Sequence, residues 1–292
     1  MVFETVLERA IDRYRRATPT LESVRTTLLS CGALPPTGVF GDDHVAFRTF
    51  GVPGLGIAAV ERLVRGSGYE RRDEFRFEAK RLDATWFAPP VASMPRIFVS
   101  ELRVDELSPA ARRLVTSYAD ALARERARLC DPRDVRSVDA FFERTPWPVP
   151  TYAAYRALLE ESEYAAWVLA FGHMLNHQTF SVHTMRNGFN VIERLVGELG
   201  RAGHALVRSG GTIKTSVDGL LRQASTRADD VAYTFACGRT ERIAGSYVEF
   251  AERGIFAAYA NLPLDAIEPH HRRDGFEKQN ADRIFESTDR ER

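Results

Sequence analysis

Three of the seven histidines lie in one short stretch, FGHMLNHQTFSVH (171–183), and imidazoles at this density raise the question of metal ligation. On a helix His173 and His177 would share a face, as in zinc proteases. The motif also needs a glutamate directly after the first histidine, and Met174 stands there instead. Read as a strand from His177, alternation puts His177, Thr179, Ser181 and His183 on one face and Gln178, Phe180 and Val182 on the other. His183 would then lie about 20 Å along the strand, too far to share an ion with His177. His173 precedes the strand and reads as helical or capping, and a lone histidine is most often a core residue with its hydrogen bonds satisfied.

A second histidine-bearing strand opens at HVAFRTF (44–50), with His44, Ala46, Arg48 and Phe50 on one face and Val45, Phe47 and Thr49 on the other. In GSYVEFAER a carboxylate, Glu249, stands between Val248 and Phe250, which is costly unless something pairs with it. A metal ion would. Two histidines and one carboxylate form the triad that ferrous iron takes in oxygenases, with positions left open for substrate and dioxygen.

What joins these residues is an internal repeat. Residues 1–40 read as an N-terminal cap of two helices, with apolar positions at helical spacing interrupted by Thr18, Pro19 and Thr20. Residues 41–104 read strand, helix, strand, strand, strand: HVAFRTF, GIAAVERLVRGSGYE, EFRFEAKRL, ATWFAPP, PRIFVSELRV. Residues 105–170 are helical, in three runs beginning SPAARRL, DVRSVDA and TYAAYRA. The first pattern returns over 171–256: HQTFSVH, the helix NGFNVIERLVGELGRAGH, then strands including VAYTFACG and RIAGSYVEFAERG. Residues 257–292 form a C-terminal segment expected to pack on both modules.

Composition narrows the function. Forty basic and forty acidic residues leave no net field, so neither nucleic acid nor an anionic membrane is an expected partner. Cys31, Cys130 and Cys237 are far apart and form no CxxC pair, which points away from disulfides and thiolate zinc. The opening run MVFETVLERAIDRYRR carries acids and arginines among its apolar positions, unlike a signal peptide, and no run of about 18 apolar residues occurs. A cytosolic protein is therefore expected. GVPGLG is too short for a dinucleotide site, and GGTIKTS lacks the glycine–lysine spacing of a phosphate loop; its Lys214 could add charge to a cavity.

The repeat and the words HVAFRTF, NHQTFSVH, LLRQASTRAD, GSYVEFAERG and GFEKQNADRIFEST resemble the 2-oxoadipate dioxygenase/decarboxylase family, from about residue 40 to about 288. The resemblance implies an α+β vicinal oxygen chelate fold, two βαβββ modules forming a curved sheet around a metal site. By matching position it implies Fe(II) held by His44, His177 and Glu249, and a substrate-binding arginine at Arg48. The family commonly has paired serines where this chain reads Gln223-Ala224-Ser225, and Gln223 and Ser225 are carried as further catalytic candidates. The activity implied is oxidative decarboxylation and hydroxylation of a 2-oxo acid, with 2-oxoadipate and dioxygen giving 2-hydroxyglutarate and carbon dioxide.

Two other readings stand beside it. Glu101 in PRIFVSEL takes the place of Glu249 in the first repeat; as a fourth ligand it would favour a zinc, nickel or manganese isomerase or lyase. In a non-enzymatic interaction protein the helical insertion would bind a partner and the histidines would be structural.

Overall fold

The structure, a computed structural model, describes residues 2–288. The first residue of the expected N-terminal cap and the last four of the expected C-terminal segment lie outside the described residues. Helices α1 (Val2–Ala17) and α2 (Pro19–Ser30) form the cap, and the stripe Phe3, Val6, Leu7, Ala10, Ile11 and Tyr14 is buried. Pro19 sits in the first turn of α2, where its missing N–H breaks no helical bond. The Tyr14 hydroxyl donates to the Tyr247 carbonyl (2.6 Å), tying the cap to the strand that bears Glu249.

The first module runs β1 (Asp42–Phe50), α3 (Ile57–Val64), β2 (Glu70–Phe77), β3 (Leu82–Ala88) and β4 (Arg96–Leu102). The helical insertion follows as α4 (Pro109–Tyr118), α5 (Ala121–Arg128), α6 (Val135–Glu143), α7 (Tyr152–Glu161) and α8 (Glu163–Phe171). Two of the three expected helical runs are thus broken, each at a residue that caps the next helix. The Asp120 carboxylate accepts from Ala123 N (2.8 Å), and the Ser162 hydroxyl accepts from Ala165 N (3.1 Å).

The second module is β5 (Leu175–Ser181), α9 (Ile192–Arg201), β6 (Lys214–Thr215), β7 (Leu221–Ser225), a hairpin β8 (Asp230–Thr234) and β9 (Thr240–Ala244), then β10 (Tyr247–Arg253). The hairpin corrects the strand reading of this half. VAYTFACG contributes β8 to a separate two-stranded sheet, and RIAGSYVEFAERG divides into β9 and β10 around Gly245. A Cβ at Gly245 would press on the Val231 side chain and the Asp229 carbonyl, so glycine eases this close approach of the hairpin.

The eight-stranded sheet has the order β2-β3-β4-β1-β5-β10-β7-β6. β4 runs parallel to β1 and β10 parallel to β5, while β1 and β5 meet antiparallel at the centre. Around the Val45–Gln178 pair, His44 stands opposite Thr179 and Ala46 opposite His177. The shift that carries His44 onto His177 therefore carries Ala46 onto Thr179, and the two histidine strands are related by a pseudo-two-fold axis. The sheet's outer face packs on helices: Phe47 lies 4.9 Å from the ring of Phe142 in α6, which in turn meets Phe3 of α1 at 5.7 Å. The inner, polar face is covered as well, by α10 (Lys278–Ile284) and the 3-10 turn Phe285–Thr288. Consequently every residue of β1 after Asp42 is buried.

Candidate metal centre and substrate pocket

The pseudo-two-fold axis brings the two histidines together, and β10, paired to β5, brings the carboxylate. Atoms of His44, His177 and Glu249 lie within 4.8 Å of one another, all three residues buried. Glu249 Oε1 is 3.7 Å from His44 Nε2, and Oε2 is 3.1 Å from His177 Nε2. Both rings are oriented from behind: His44 Nδ1 donates to Asp43 Oδ1 (2.8 Å) and His177 Nδ1 to Asn176 Oδ1 (3.0 Å). With the Nδ1 positions protonated, the Nε2 lone pairs face a buried carboxylate. That arrangement needs a cation between them, and the donor set fits a divalent metal.

Burial opposes ionisation of Glu249, but the imidazoles, when they carry a proton at Nε2, and the Gln223 amide outweigh it and hold the carboxyl below its ordinary value; a metal cation would act in the place of those protons. Burial lowers the His177 pKa against the pull of Glu249, favouring the neutral imidazole that ligates. The ring of Tyr247 stacks on His177 at 4.5 Å, and that of Phe276 meets His44 edge-on at 4.8 Å.

Arg48 lines the same cavity, two pleats from His44. Its guanidinium donates to Thr288 Oγ1 (3.0 Å) and the Phe285 carbonyl (3.3 Å), lies 3.8 Å from Glu163 and sits 5.0 Å from the ring centre of Tyr164. Its Nε is buried with no hydrogen-bond partner. Gln223 also lines the cavity, but it serves the carboxylate: Nε2 donates to Glu249 Oε1 (2.6 Å), and Oε1 accepts from Asn280 (3.0 Å). Ser225 stands apart from the cavity wall, its hydroxyl paired with that of Ser287 (2.8 Å). The Thr179 hydroxyl reaches His44 Nε2 (3.0 Å), whereas Lys214 turns away to donate to the Val207 carbonyl (3.0 Å).

The remaining histidines lie elsewhere. β5 ends at Ser181, so His183 falls in a 3-10 turn, where Nδ1 accepts from Arg253 N (3.4 Å). His173 follows the end of α8, stacks on Phe141 at 4.2 Å and bonds the Leu55 carbonyl through Nε2 (2.8 Å). Burial pushes the pKa of both His173 and His183 down to about 4. These folded values lie below the unfolded one of about 6.5, so the unfolded chain binds more protons between them. Stability is complete above about pH 6.5 and is lost as pH falls toward 4, by about 1.4 kcal/mol per pH unit for each group. His173→Phe should flatten the slope of unfolding free energy against pH by one proton in this window. An unchanged slope in urea melts between pH 4 and 6.5 would contradict the assignment.

Glu101 is not a fourth ligand. Phe98 stands opposite Ala46 and Glu249 opposite Thr179, so the first-half counterpart of Glu249 is Phe98. Glu101 corresponds instead to Glu252, and the two do the same work. Glu101 Oε2 accepts from Ile57 N (2.7 Å) at the start of α3, and Glu252 Oε2 from Ile192 N (2.6 Å) at the start of α9. Gly56 of GVPGLG leaves the room, because a Cβ there would collide with Glu101 Oε2. Glu101→Gln should cost about 1 kcal/mol in denaturant melts and leave the metal stoichiometry unchanged; loss of metal would restore the four-ligand reading.

Comparison with known proteins now bears on the site. A sequence profile of the 2-oxoadipate dioxygenase/decarboxylase family matches residues 38–266. The chain belongs to this family. It is 43% identical over 256 residues, 84% of its length and 68% of the relative's, to a chloroplastic/amyloplastic 2-oxoadipate dioxygenase/decarboxylase of Oryza sativa subsp. japonica. A chloroplastic family member from Arabidopsis thaliana is 41% identical over 257 residues, covering 84% of this chain and 67% of that one. The crystal structure of hydroxyglutarate synthase from Oryza sativa in complex with 2-oxoadipate superposes with a TM-score of 0.89 at 39% identity, over 98% of this chain and 91% of that chain. The curled sheet of two modules is the vicinal oxygen chelate fold.

Family membership sets aside the reading as a non-catalytic interaction protein. It also overturns the expected cytosolic location, since both plant relatives are plastid proteins by name. Charge balance and the lack of an apolar run cannot tell one aqueous compartment from another; among the described residues, no helix is long and apolar enough to cross a membrane.

Several residues at the site escaped the sequence reading. Asp43 and Asn176 had a signal, because each directly precedes the histidine of its module. Tyr247 and Arg253 had one too, because alternation places them on the face of Glu249, whereas nothing local showed that Phe276 and Asn280 reach the site.

Proposed function

We propose that this family member is a ferrous-iron dioxygenase that converts 2-oxoadipate and dioxygen to 2-hydroxyglutarate and carbon dioxide. One observation carries the reading: two imidazole nitrogens and a carboxylate converge in a buried cavity that also holds an arginine with an unpaired Nε. The reaction balances, since both atoms of dioxygen are taken up and one carbon leaves as carbon dioxide, so no second oxo acid is needed. Ferrous iron, which His44, His177 and Glu249 would hold, would supply a Lewis-acid centre for a 2-oxo acid and for dioxygen.

The chain's own groups do the rest. Asp43 and Asn176 hold the imidazoles with Nε2 forward, and Gln223 holds Glu249. Arg48 takes the far carboxylate of the diacid, a pairing that its planar fork makes directional. Phe276, Ile284 and Phe285 keep bulk water out. The free space beside the triad is about 20 Å³, room for about one water, which needs roughly 10–15 Å³ on this measure. A diacid is far larger and enters only when the Phe285–Thr288 turn gives way. Phe285 also lines a groove of about 1020 Å³ bordered by Lys80, Arg156 and Glu163, so moving this side chain would open the cavity to the groove.

Anaerobic calorimetry tests the binding half of the proposal. Iron-loaded protein should bind one 2-oxoadipate per chain, and metal-free protein should bind it far more weakly. Equal affinity with and without iron would contradict a metal-chelated substrate.

A further inference from the structure

The two halves of the site differ behind the histidines. The shift that carries His44 onto His177 carries Asp43 onto Asn176, so one ring donates to a carboxylate and the other to a carboxamide. The carboxylate is itself clamped. Arg253 Nε donates to Asp43 Oδ2 (2.6 Å) and Nη2 to Oδ1 (2.8 Å), with both residues buried. Arg96 approaches Oδ2 at 3.9 Å. By contrast, the Asn176 amide nitrogen has no hydrogen-bond partner.

We propose that Asp43, clamped by Arg253, is a positioning residue that makes His44 the stronger of the two imidazole donors, so that a pseudo-symmetric fold holds its metal asymmetrically. The inference rests on the metal reading above and goes beyond it. A buried ion pair gains little over apolar residues in stability alone. The register that matches Phe98 to Glu249 matches Leu102 to Arg253, so the corresponding positions of the other half, Asn176 and Leu102, are buried and carry no charge. His44 uses Asp43 and Arg253, because an imidazole whose Nδ1–H meets a carboxylate is fixed in tautomer and more basic at Nε2 than one meeting an amide.

Arg253 extends the effect to the pocket wall. Its Nη1 donates to the Arg273 carbonyl (3.1 Å) and the Gly275 carbonyl (2.8 Å), and its Cζ lies 5.6 Å from the ring centre of Phe276, the side chain that packs on His44. One guanidinium thus fixes both the orienting carboxylate and the ring beside the ligand.

The test copies one half of the protein into the other. Asp43→Asn/Arg253→Leu removes the pair together, so no buried charge is orphaned. Cobalt(II) titrated into the metal-free protein against a chelator should bind roughly 10- to 100-fold more weakly than in the wild type, with shifted d–d absorption bands. Wild-type affinity and an unchanged cobalt spectrum in the double variant would overturn the proposal. If that variant fails to fold, nitrogen-15 histidine NMR of the zinc-loaded wild type decides. Both Nδ1 atoms should carry protons, with the His44 proton downfield of the His177 proton; equivalent shifts or an unprotonated His44 Nδ1 would overturn it. Failure of the wild type to bind either metal would refute the metal reading itself, an outcome distinct from equal binding by wild type and variant.

Discussion

Glu249→Gln should empty the metal site and lower turnover by at least about 10³-fold, and should also lower the stability of the metal-free protein at neutral pH. Both effects have one cause. In the metal-free chain, against the cost of burial, the two imidazoles and Gln223 hold the Glu249 carboxyl below its ordinary value, so folding favours the charge that glutamine removes. Of the three candidate ligands the same carboxylate is the anionic one. A unit-charge pair at about 4 Å is worth about 4 kcal/mol at an effective dielectric of about 20, or roughly 10³-fold in affinity, and a divalent ion raises this further. Iron analysis after gel filtration and melting of the metal-free form measure the two sides separately. Full iron content and activity in the variant would remove Glu249 from the site.

Arg48→Ala should keep the metal and lose the substrate. Truncating one partner of a buried charged hydrogen-bonded pair costs about 2–5 kcal/mol, or roughly 30- to 5000-fold in kcat/KM for the diacid. A 2-oxo monoacid has no far carboxylate to lose, so its kcat/KM should change little. Arg48→Lys should rescue only part of the loss, because a lysine offers a point charge in place of a fork. The contrast between diacid and monoacid separates this role from a structural one. Arg48 is also held by Thr288, Phe285 and the Tyr164 ring; if those contacts were its whole purpose, both substrates would suffer equally and the melting temperature would fall.

Where sequence and structure part company, the cause is long-range pairing. The histidine-bearing strands are legible because alternation is local: His44 and Arg48 face one side, Val45 and Phe47 the other, and a second strand repeats the pattern at His177. The repeat of two modules is legible from that pattern, and the α+β vicinal oxygen chelate architecture is implied by the family resemblance. Glu101 misleads because the order of strands does not specify register. Only the pairing of Phe98 with Ala46 shows that Glu249 and Glu101 occupy different positions in the two halves. The β8–β9 hairpin reads as ordinary strand because its residues have strand character, and nothing local says that Gly245 turns the chain out of the sheet. The C-terminal segment is expected to pack on the modules, but which of its residues close the cavity is not legible: Phe276, Ile284 and Phe285 come from a polar stretch, and their contacts with β1 and β4 explain why a polar sheet face is dry.

The central claim is that this site oxidatively decarboxylates a 2-oxo diacid, and oxygen consumption tests it most directly. Protein reconstituted with ferrous iron under anaerobic conditions is given 2-oxoadipate and then dioxygen, with uptake followed by electrode and products identified by mass. The account predicts one dioxygen consumed for each carbon dioxide released and each 2-hydroxyglutarate formed, with no activity in the Glu249→Gln protein. No uptake from protein shown to hold its iron, or uptake that leaves 2-oxoadipate intact, would contradict it.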